Sequence, residues 1–170
     1  MSFAMTRTAC ERFLADVHVG VLSVAEAPGR APLTVPIWYA YRPGGLLTVL
    51  TGRTSVKARR IRAAGRFTLC VQQEEPPCRY VSATGPVVAI EDRVDPDERA
   101  ALAHRYLPPA TAAAYLLATA EQLTADVTVR MRPERWLSAD FTAVTERIAA
   151  LERSAEAQRP PLEQPPSGRG

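Results

Sequence analysis

LLTVLTGRTSVKARRIRAAGRFTLCV, residues 46–71, holds two apolar alternating runs separated by a polar, basic stretch. The spacing predicts a strand over 46–51 and another over 66–72. Between them, Thr54 or Ser55 has the side-chain oxygen to cap a helix running to about Ala64, and Gly65 supplies its stop. This strand–helix–strand unit sits in a chain whose other segments also alternate at period two. The helix carries Lys57, the sole lysine of a chain with 21 Lys and Arg residues. The segment Arg53–Arg66 carries Arg53, Lys57, Arg59, Arg60, Arg62 and Arg66 with no acid among them.

Working outward, residues 8–15 predict a short helix opened by a capping box of Thr8 and Glu11. Strands are expected over 19–25 and 32–41, separated by the turn APGR, and the turn RPGG leads into 46–51. These three strands are expected to form a hairpin meander. Residues 79–91 predict one bent strand or a pair broken at Gly85. Asp95-Pro96 opens a helix ending near Leu107, and residues 110–122 form a second helix of this excursion. Residues 125–141 return as strand with a break at Pro133, and 143–158 form a polar, alanine-rich helix. The fold class expected is mainly β, a closed or partly closed small barrel of six to seven antiparallel strands with peripheral helices. Residues 1–158 form its single domain, and the proline-rich tail 159–170 is expected to be disordered.

Composition narrows the function. Hydrophobic content of 46% and charged content of 23% are those of an ordinary soluble globule. No run reaches the ~18–20 apolar residues of a membrane span. The start lacks a charged-then-apolar leader, so a cytoplasmic location without membrane association is expected. Cys10, Cys70 and Cys78 are too irregularly spaced for a disulfide framework or a zinc site, and Cys70 is expected in the core. No metal site is expected. The net charge is +3 with both signs mixed along the chain except in one short basic segment, so nucleic acid is not an expected partner.

The basic segment suits an anion. A helix start presents unpaired amides and a partial positive charge, which favour a phosphate. Thr51, Thr54 and Ser55 add hydroxyls, and Lys57 lies in the first helical turn. Its compact ammonium offers three rotatable donors, which a planar guanidinium does not imitate. A solvated helix lysine is the competing reading, and the spacing is not that of a Walker loop.

The run 46–71 resembles the third strand, helix and fourth strand of the pyridoxamine-phosphate-oxidase-like split β-barrel flavoproteins. The matching pieces are Thr51, Ser55-Val56-Lys57, Ile61 and Arg66-Phe67-Thr68-Leu69. FLADVHVGVLSVAEAPGRAPLTVPIWYAY (13–41) is similar to the family's opening, RYVSATGPVVAIED (79–92) to a later strand, and PERWLSADF (133–141) to its closing segment. The resemblance spans roughly residues 8–141. It implies a homodimer with the cofactor at the subunit interface. It also implies that Arg53, Ser55 and Lys57 hold a cofactor phosphate, with Thr51, Gly52, Thr54 and Arg60 beside it. Pro36, Ile37 and Trp38 would flank a flavin-type ring, and Arg79 would add a polar contact. Arg79 has a second reading, as counter-charge to Glu74 or Glu75.

The resemblance departs from vitamin B6 oxidases at Val35 and Ala40, where those enzymes carry Arg and Lys. It is closer to the actinobacterial branch that uses coenzyme F420, whose Gly-Arg-x-x-x-Lys-x-Arg-Asn-Leu run matches Gly52 to Ile61 with Arg60 in place of Asn. The implied function is F420-dependent reduction of a small unsaturated substrate, with FMN as the alternative cofactor. A non-catalytic flavin- or haem-binding protein is a further reading. No catalytic side chain is expected, because the cofactor carries the chemistry. The substrate is expected over the ring, in a pocket shaped by loop 73–78 and helices 95–122. Arg135 and Trp136 are expected to pack, His18 and His104 to be surface or satisfied histidines, and Asp140 to cap the last helix.

Overall fold

A computed structural model describes residues 3–157; the tail expectation for 159–170 lies outside the described residues. The elements in chain order are α1 (Arg7–Ala15), β1 (Gly20–Val24), β2 (Leu33–Ile37), β3 (Tyr39–Ala40), β4 (Leu47–Gly52), α2 (Val56–Ala64), β5 (Arg66–Gln73), β6 (Arg79–Glu91), α3 (Pro96–Tyr106), α4 (Pro109–Ala118), α5 (Gln122–Ala125), β7 (Asp126–Met131), β8 (Arg135–Asp140) and α6 (Thr142–Ala157). The eight strands pair antiparallel in the path β2-β1-β5-β6-β7-β4-β3, with β8 on β6. The two ends of this path, β2 and β3, are joined by one residue, Trp38. The sheet therefore curls until its edges meet, which is how a twisted sheet becomes a barrel. This is the barrel with flanking helices that the patterning implied, of the split type that the resemblance implied.

The first three strands do not form the expected meander. β2 pairs with β1 through Gly20↔Ile37 to Val24↔Leu33, whereas β3 pairs with β4 through Tyr39↔Val49. Ile37 and Tyr39 are both buried, so the alternation runs unbroken through Trp38 while the hydrogen-bond partner changes. Sequence shows the alternation and not the change of partner. Residues 125–141 break at Pro133 as expected, into β7 and β8, and the additional split at Trp38 brings the strands among the described residues to eight, above the six or seven expected.

β6 runs unbroken through Gly85. Its first half pairs with β5 and β8, and its second half with β7. The corner between β7 and β8 crosses over Gly85, where Arg132 N–H donates to Pro86 O and Glu134 N–H to Thr84 O, each at 3.0 Å. A Cβ at Gly85 would lie 1.7 Å from Arg132 O, so only glycine fits beneath the corner.

Inward-facing Leu22, Val49, Phe67, Leu69, Val71, Val81, Val127, Val129 and Met131 form the core with Tyr39 and Leu47. Helix α1 adds Cys10, Phe13 and Leu14, and α2 adds Ile61. Cys70 points the other way and is only half-buried; the buried cysteine is Cys10. The first helix is capped by Thr6, whose hydroxyl accepts from Ala9 N at 3.2 Å. Thr8 is already inside that helix, and Glu11 pairs with Arg7 at 2.8 Å, so the expected capping box is absent. Asp95 and Asp140 cap as expected, accepting from Asp97 N and Thr142 N, both at 2.8 Å. Among the described residues, no helix is long and apolar enough to cross a membrane.

The helical excursion α3–α5 lies over the seam at Trp38. Tyr106 fills the hydrogen bonds that the ladder loses there. Its hydroxyl accepts from Tyr39 N at 3.1 Å and donates to His18 O at 2.8 Å, with Tyr39 O at 3.1 Å. Arg105 Nη2 donates to Ala15 O at 2.8 Å and Asp16 O at 2.5 Å.

Candidate functional site

Ser55 is the helix cap of α2. Its φ of −62° and ψ of 154° set it outside the helix, and its hydroxyl accepts from Ala58 N at 3.0 Å. Gly65 closes the helix in the left-handed region at φ 63°. The Thr51 hydroxyl, buried at the end of β4, lies 3.1 Å from the Ser55 hydroxyl. This hydroxyl pair fixes the start of α2 against β4 and aims the next residues outward.

Four arginines of the segment are tied to protein groups, and Arg66 is exposed at the start of β5. Arg53 donates from Nη2 to Asp92 O, and Arg59 Nη1 donates to Thr54 O at 2.6 Å. Arg62 Nη1 donates to Arg53 O at 2.8 Å. Arg60 pairs with Glu26 at 3.1 Å, and Glu26 also meets Arg30 at 3.3 Å. Lys57 is different. It is half-buried, and among the described residues its ammonium has no hydrogen bond or ion pair. Burial pushes its pKa below the usual lysine value, with the Asp126 carboxylate opposing.

Lys57 opens into a cavity of about 380 Å³. Pro36, Ile37 and Trp38 form one wall, Leu50 and Asp126 another, and Arg99, Leu102, Ala103 and Tyr115 of the excursion cover it. Such a volume suits part of a small molecule. Trp38 stacks on Tyr106, with centroids 5.0 Å apart and planes 4° apart, and Tyr115 meets it at 5.5 Å and 55°. Asp126 sits opposite Gly52 in the β4–β7 register. Burial pushes the Asp126 carboxyl up, with Arg99 and Lys57 pulling it back.

The structure thus brings Pro36, Ile37, Trp38 and Lys57 to one cavity. Thr51, Gly52 and Ser55 support its Lys57 side without lining it. Arg53, Thr54 and Arg60 also stand outside the lining. Arg79 lies elsewhere, beside α1: it donates to Gln73 Oε1 at 3.2 and 2.6 Å, and its guanidinium sits 5.2 Å over the Phe13 ring. Its partner is therefore Gln73 and not Glu74 or Glu75. Loop residues Gln73–Pro76 line a neighbouring hollow that shares Val19 and Pro36 with the cavity. His104 is exposed, whereas His18 packs 4.4 Å from Phe13 and burial lowers its pKa. Trp136 packs against the core under Arg7, 4.2 Å away.

Asp126, Arg99 and Tyr115 were missed from the sequence. Asp126 is placed by the non-local pairing of β4 with β7, which no local pattern encodes. Arg99 carried a signal. It falls with Leu102, Ala103 and Tyr106 on one helical stripe, at spacings of three, four and seven, so an arginine stood among inward-facing positions.

No curated protein matches this sequence. Solved structures share the fold. A protein titled an F420 reductase aligns with a TM-score of 0.59 and 23% identity, over 75% of this chain and 94% of that one. A conserved hypothetical protein of Mycobacterium tuberculosis aligns with a TM-score of 0.65 and 20% identity, over 98% and 97%. A FAD-binding protein of Mesorhizobium loti aligns at 0.52 and 20%, over 79% and 93%. The family described as pyridoxamine 5'-phosphate oxidase matches residues 6–137, most of the barrel that carries the Lys57 cavity, and the chain belongs to that family.

Proposed function

We propose that this protein is an oxidoreductase that binds a flavin-type cofactor with an acidic tail, and that it is a coenzyme F420-dependent reductase of a small unsaturated substrate. The observation that carries the reading is the half-buried Lys57 ammonium, left without a protein acceptor at the mouth of an aromatic-walled cavity. A half-buried ammonium that lines a cavity and has no protein acceptor among the described residues leaves its donors for an anionic ligand. Arg53, Arg59, Arg60 and Arg62 do not share this property, because each is held by a carbonyl or a carboxylate, and Arg66 is exposed outside the cavity lining.

The donor set fits such a cofactor. Lys57 would hold the phosphate, while Pro36, Ile37 and Trp38 would bound the ring. When bound, reduced F420 supplies a hydride to an electron-poor carbon. The protein's part is positional. Tyr106 holds the Tyr39 backbone by two contacts and His18 O by a third, and its ring stacks on Trp38, which fixes the ring wall. Leu102, Ala103 and Tyr115 line the cavity on the excursion side and present apolar surface to a bound ring. FMN is the second reading, since its tail also presents a phosphate to Lys57.

The reading includes a homodimer with the cofactor at the subunit interface. The family resemblance carries this part of the reading. Light scattering on the purified protein should give twice the 18.5 kDa chain mass. A single-chain mass at micromolar concentration would remove the dimer.

Lys57→Ala tests the function. It should weaken binding of F420 by about 1.5–3 kcal/mol, the range for hydrogen bonds to charged groups. Titration of the purified protein with F420 and FMN, followed by fluorescence, measures this. Unchanged affinity for both would return Lys57 to a solvated helix position. Hydride transfer from reduced F420, with none from reduced FMN, would separate the two cofactors.

A further inference from the structure

The Lys57 cavity contains a second cation that the basic segment does not supply. Arg99, on the first turn of α3, is only 7% exposed. Its Nη2 donates to Thr119 O at 2.7 Å and to the Thr119 hydroxyl at 2.5 Å. Its guanidinium carbon lies 5.9 Å from the Tyr115 ring centroid. Both Thr119 acceptors are neutral, and among the described residues no carboxylate lies within ion-pair distance of Arg99. An arginine buried to this degree is ordinarily matched by a carboxylate or a bound anion. Two Arg99 nitrogens, Nε and Nη1, have no acceptor among the described residues, although the residue lines the cavity.

Three charged groups therefore line one cavity, Lys57 from α2, Arg99 from α3 and Asp126 from the start of β7. Asp126 is the only carboxylate among the lining residues, so the cavity carries one positive charge more than it balances. Neither cation is ion-paired with Asp126 at contact distance. The planar fork of a guanidinium and the point charge of an ammonium are complementary grips for one oxyanion.

We propose that Arg99 is the second arm of an anion clamp, in which Lys57 and Arg99 together bind a single phosphate-type group of the ligand, and Asp126 opposes it. The inference rests on the reading that this cavity receives an acidic-tailed ligand, and it adds a residue from outside the basic segment. It gives the helical excursion a binding role: α3 carries the arm, and Thr119, beyond α4, holds that arm in place. Asp126 then sets the selectivity. It repels a bound phosphate, so the clamp discriminates between anions by how well they satisfy both cations.

The test compares ligands that differ only by the phosphate. Wild type, Arg99→Gln, Arg99→Lys and Asp126→Asn would be titrated with FMN, with riboflavin and with inorganic phosphate, by fluorescence and calorimetry. Wild type should prefer FMN to riboflavin by tenfold or more. Arg99→Gln should reduce that preference at least fivefold while riboflavin affinity stays within twofold, and should weaken inorganic phosphate by a similar factor. Arg99→Lys should restore part of both. Asp126→Asn should tighten phosphate severalfold, a gain that a damaged fold cannot mimic. Equal losses for FMN and riboflavin in Arg99→Gln would make Arg99 a structural tie to Thr119 and overturn the clamp. Phosphate binding by wild type that depends on Arg99, with no flavin or F420 binding, would leave the clamp standing and remove the cofactor reading. Absence of phosphate and FMN binding in wild type would remove the clamp.

Discussion

The barrel and the helical excursion that roofs it are held by different forces. In the barrel, Leu22, Leu47, Val49, Leu69, Val81, Val127, Val129 and Met131 are all fully buried, so each alternate position adds apolar area removed from water. In the excursion, α4 buries only Ala112, and α3 buries Leu102, Ala103 and the charged Arg99. Its attachment is largely polar. Tyr106 bonds to the seam at Tyr39 and His18, Arg105 to the end of α1, and Glu98 to Arg130 on β7 at 2.9 Å. Hydrophobic burial is non-directional and holds a shape, whereas hydrogen bonds are directional and hold a position. The rigid wall of the cavity comes from the first, and the placement of its roof comes from the second.

The largest expected effect lies in the barrel. Leu69→Ala deletes a fully buried side chain between Gly20 and the core, and should cost about 3 kcal/mol in urea unfolding. The midpoint should shift with the slope unchanged, because barrel and roof unfold together. A loss under about 1 kcal/mol would mean that this core can collapse around the gap, and the contrast between the regions would weaken.

A smaller and more local effect is expected at the seam. Tyr106→Phe removes the hydroxyl that accepts from Tyr39 N and donates to His18 O. The Tyr39 amide then has no ladder partner, and its protection from hydrogen exchange should fall about tenfold, equivalent to about 1.4 kcal/mol. Amides of β5 and β6 should keep theirs. Loss of protection throughout the barrel would show that the roof is part of the core and not an attachment to it.

The smallest effect belongs to the ion pairs joining α3 to β7. Glu98→Gln removes one half-exposed partner of Arg130 and should cost about 0.5 kcal/mol. Arg130 also hydrogen-bonds Glu91 and holds that carboxyl below its ordinary value of 4.5. The unfolded chain therefore binds this proton first as acid is added. The contribution of Glu91 is present above the unfolded value and is lost as pH falls through the lower folded one. Glu91→Gln should flatten the stability curve on that acid side; an unaltered curve would mean that solvent already screens the pair.

Local chemistry was legible where one residue decides its own surroundings. Ser55 and Gly65 bound α2 because a hydroxyl and a left-handed glycine do the same thing in any helix. Asp140 caps α6 for the same reason. Thr8 misled, because Thr6 two residues earlier offered an equivalent oxygen and the cap is chosen by where the chain leaves β-space. The strand 32–41 misled differently. Its alternation from Ile37 to Tyr39 is continuous, yet the hydrogen-bond partner changes from β1 to β4 at Trp38.

The sequence by itself determined the alternation that makes a barrel, the helix that presents Lys57, and the isolation of that lysine among arginines. Those features depend on residues within a turn or two of one another. The folded chain alone settles that Arg53 is taken by the Asp92 carbonyl and Arg60 by Glu26, that Arg79 faces a different hollow, and that Arg99 and Asp126 join Lys57. Each of these depends on pairing between segments distant in the chain. Charge and burial are properties of such neighbourhoods, and a residue's neighbours across a closed sheet are fixed by register, which no local pattern carries.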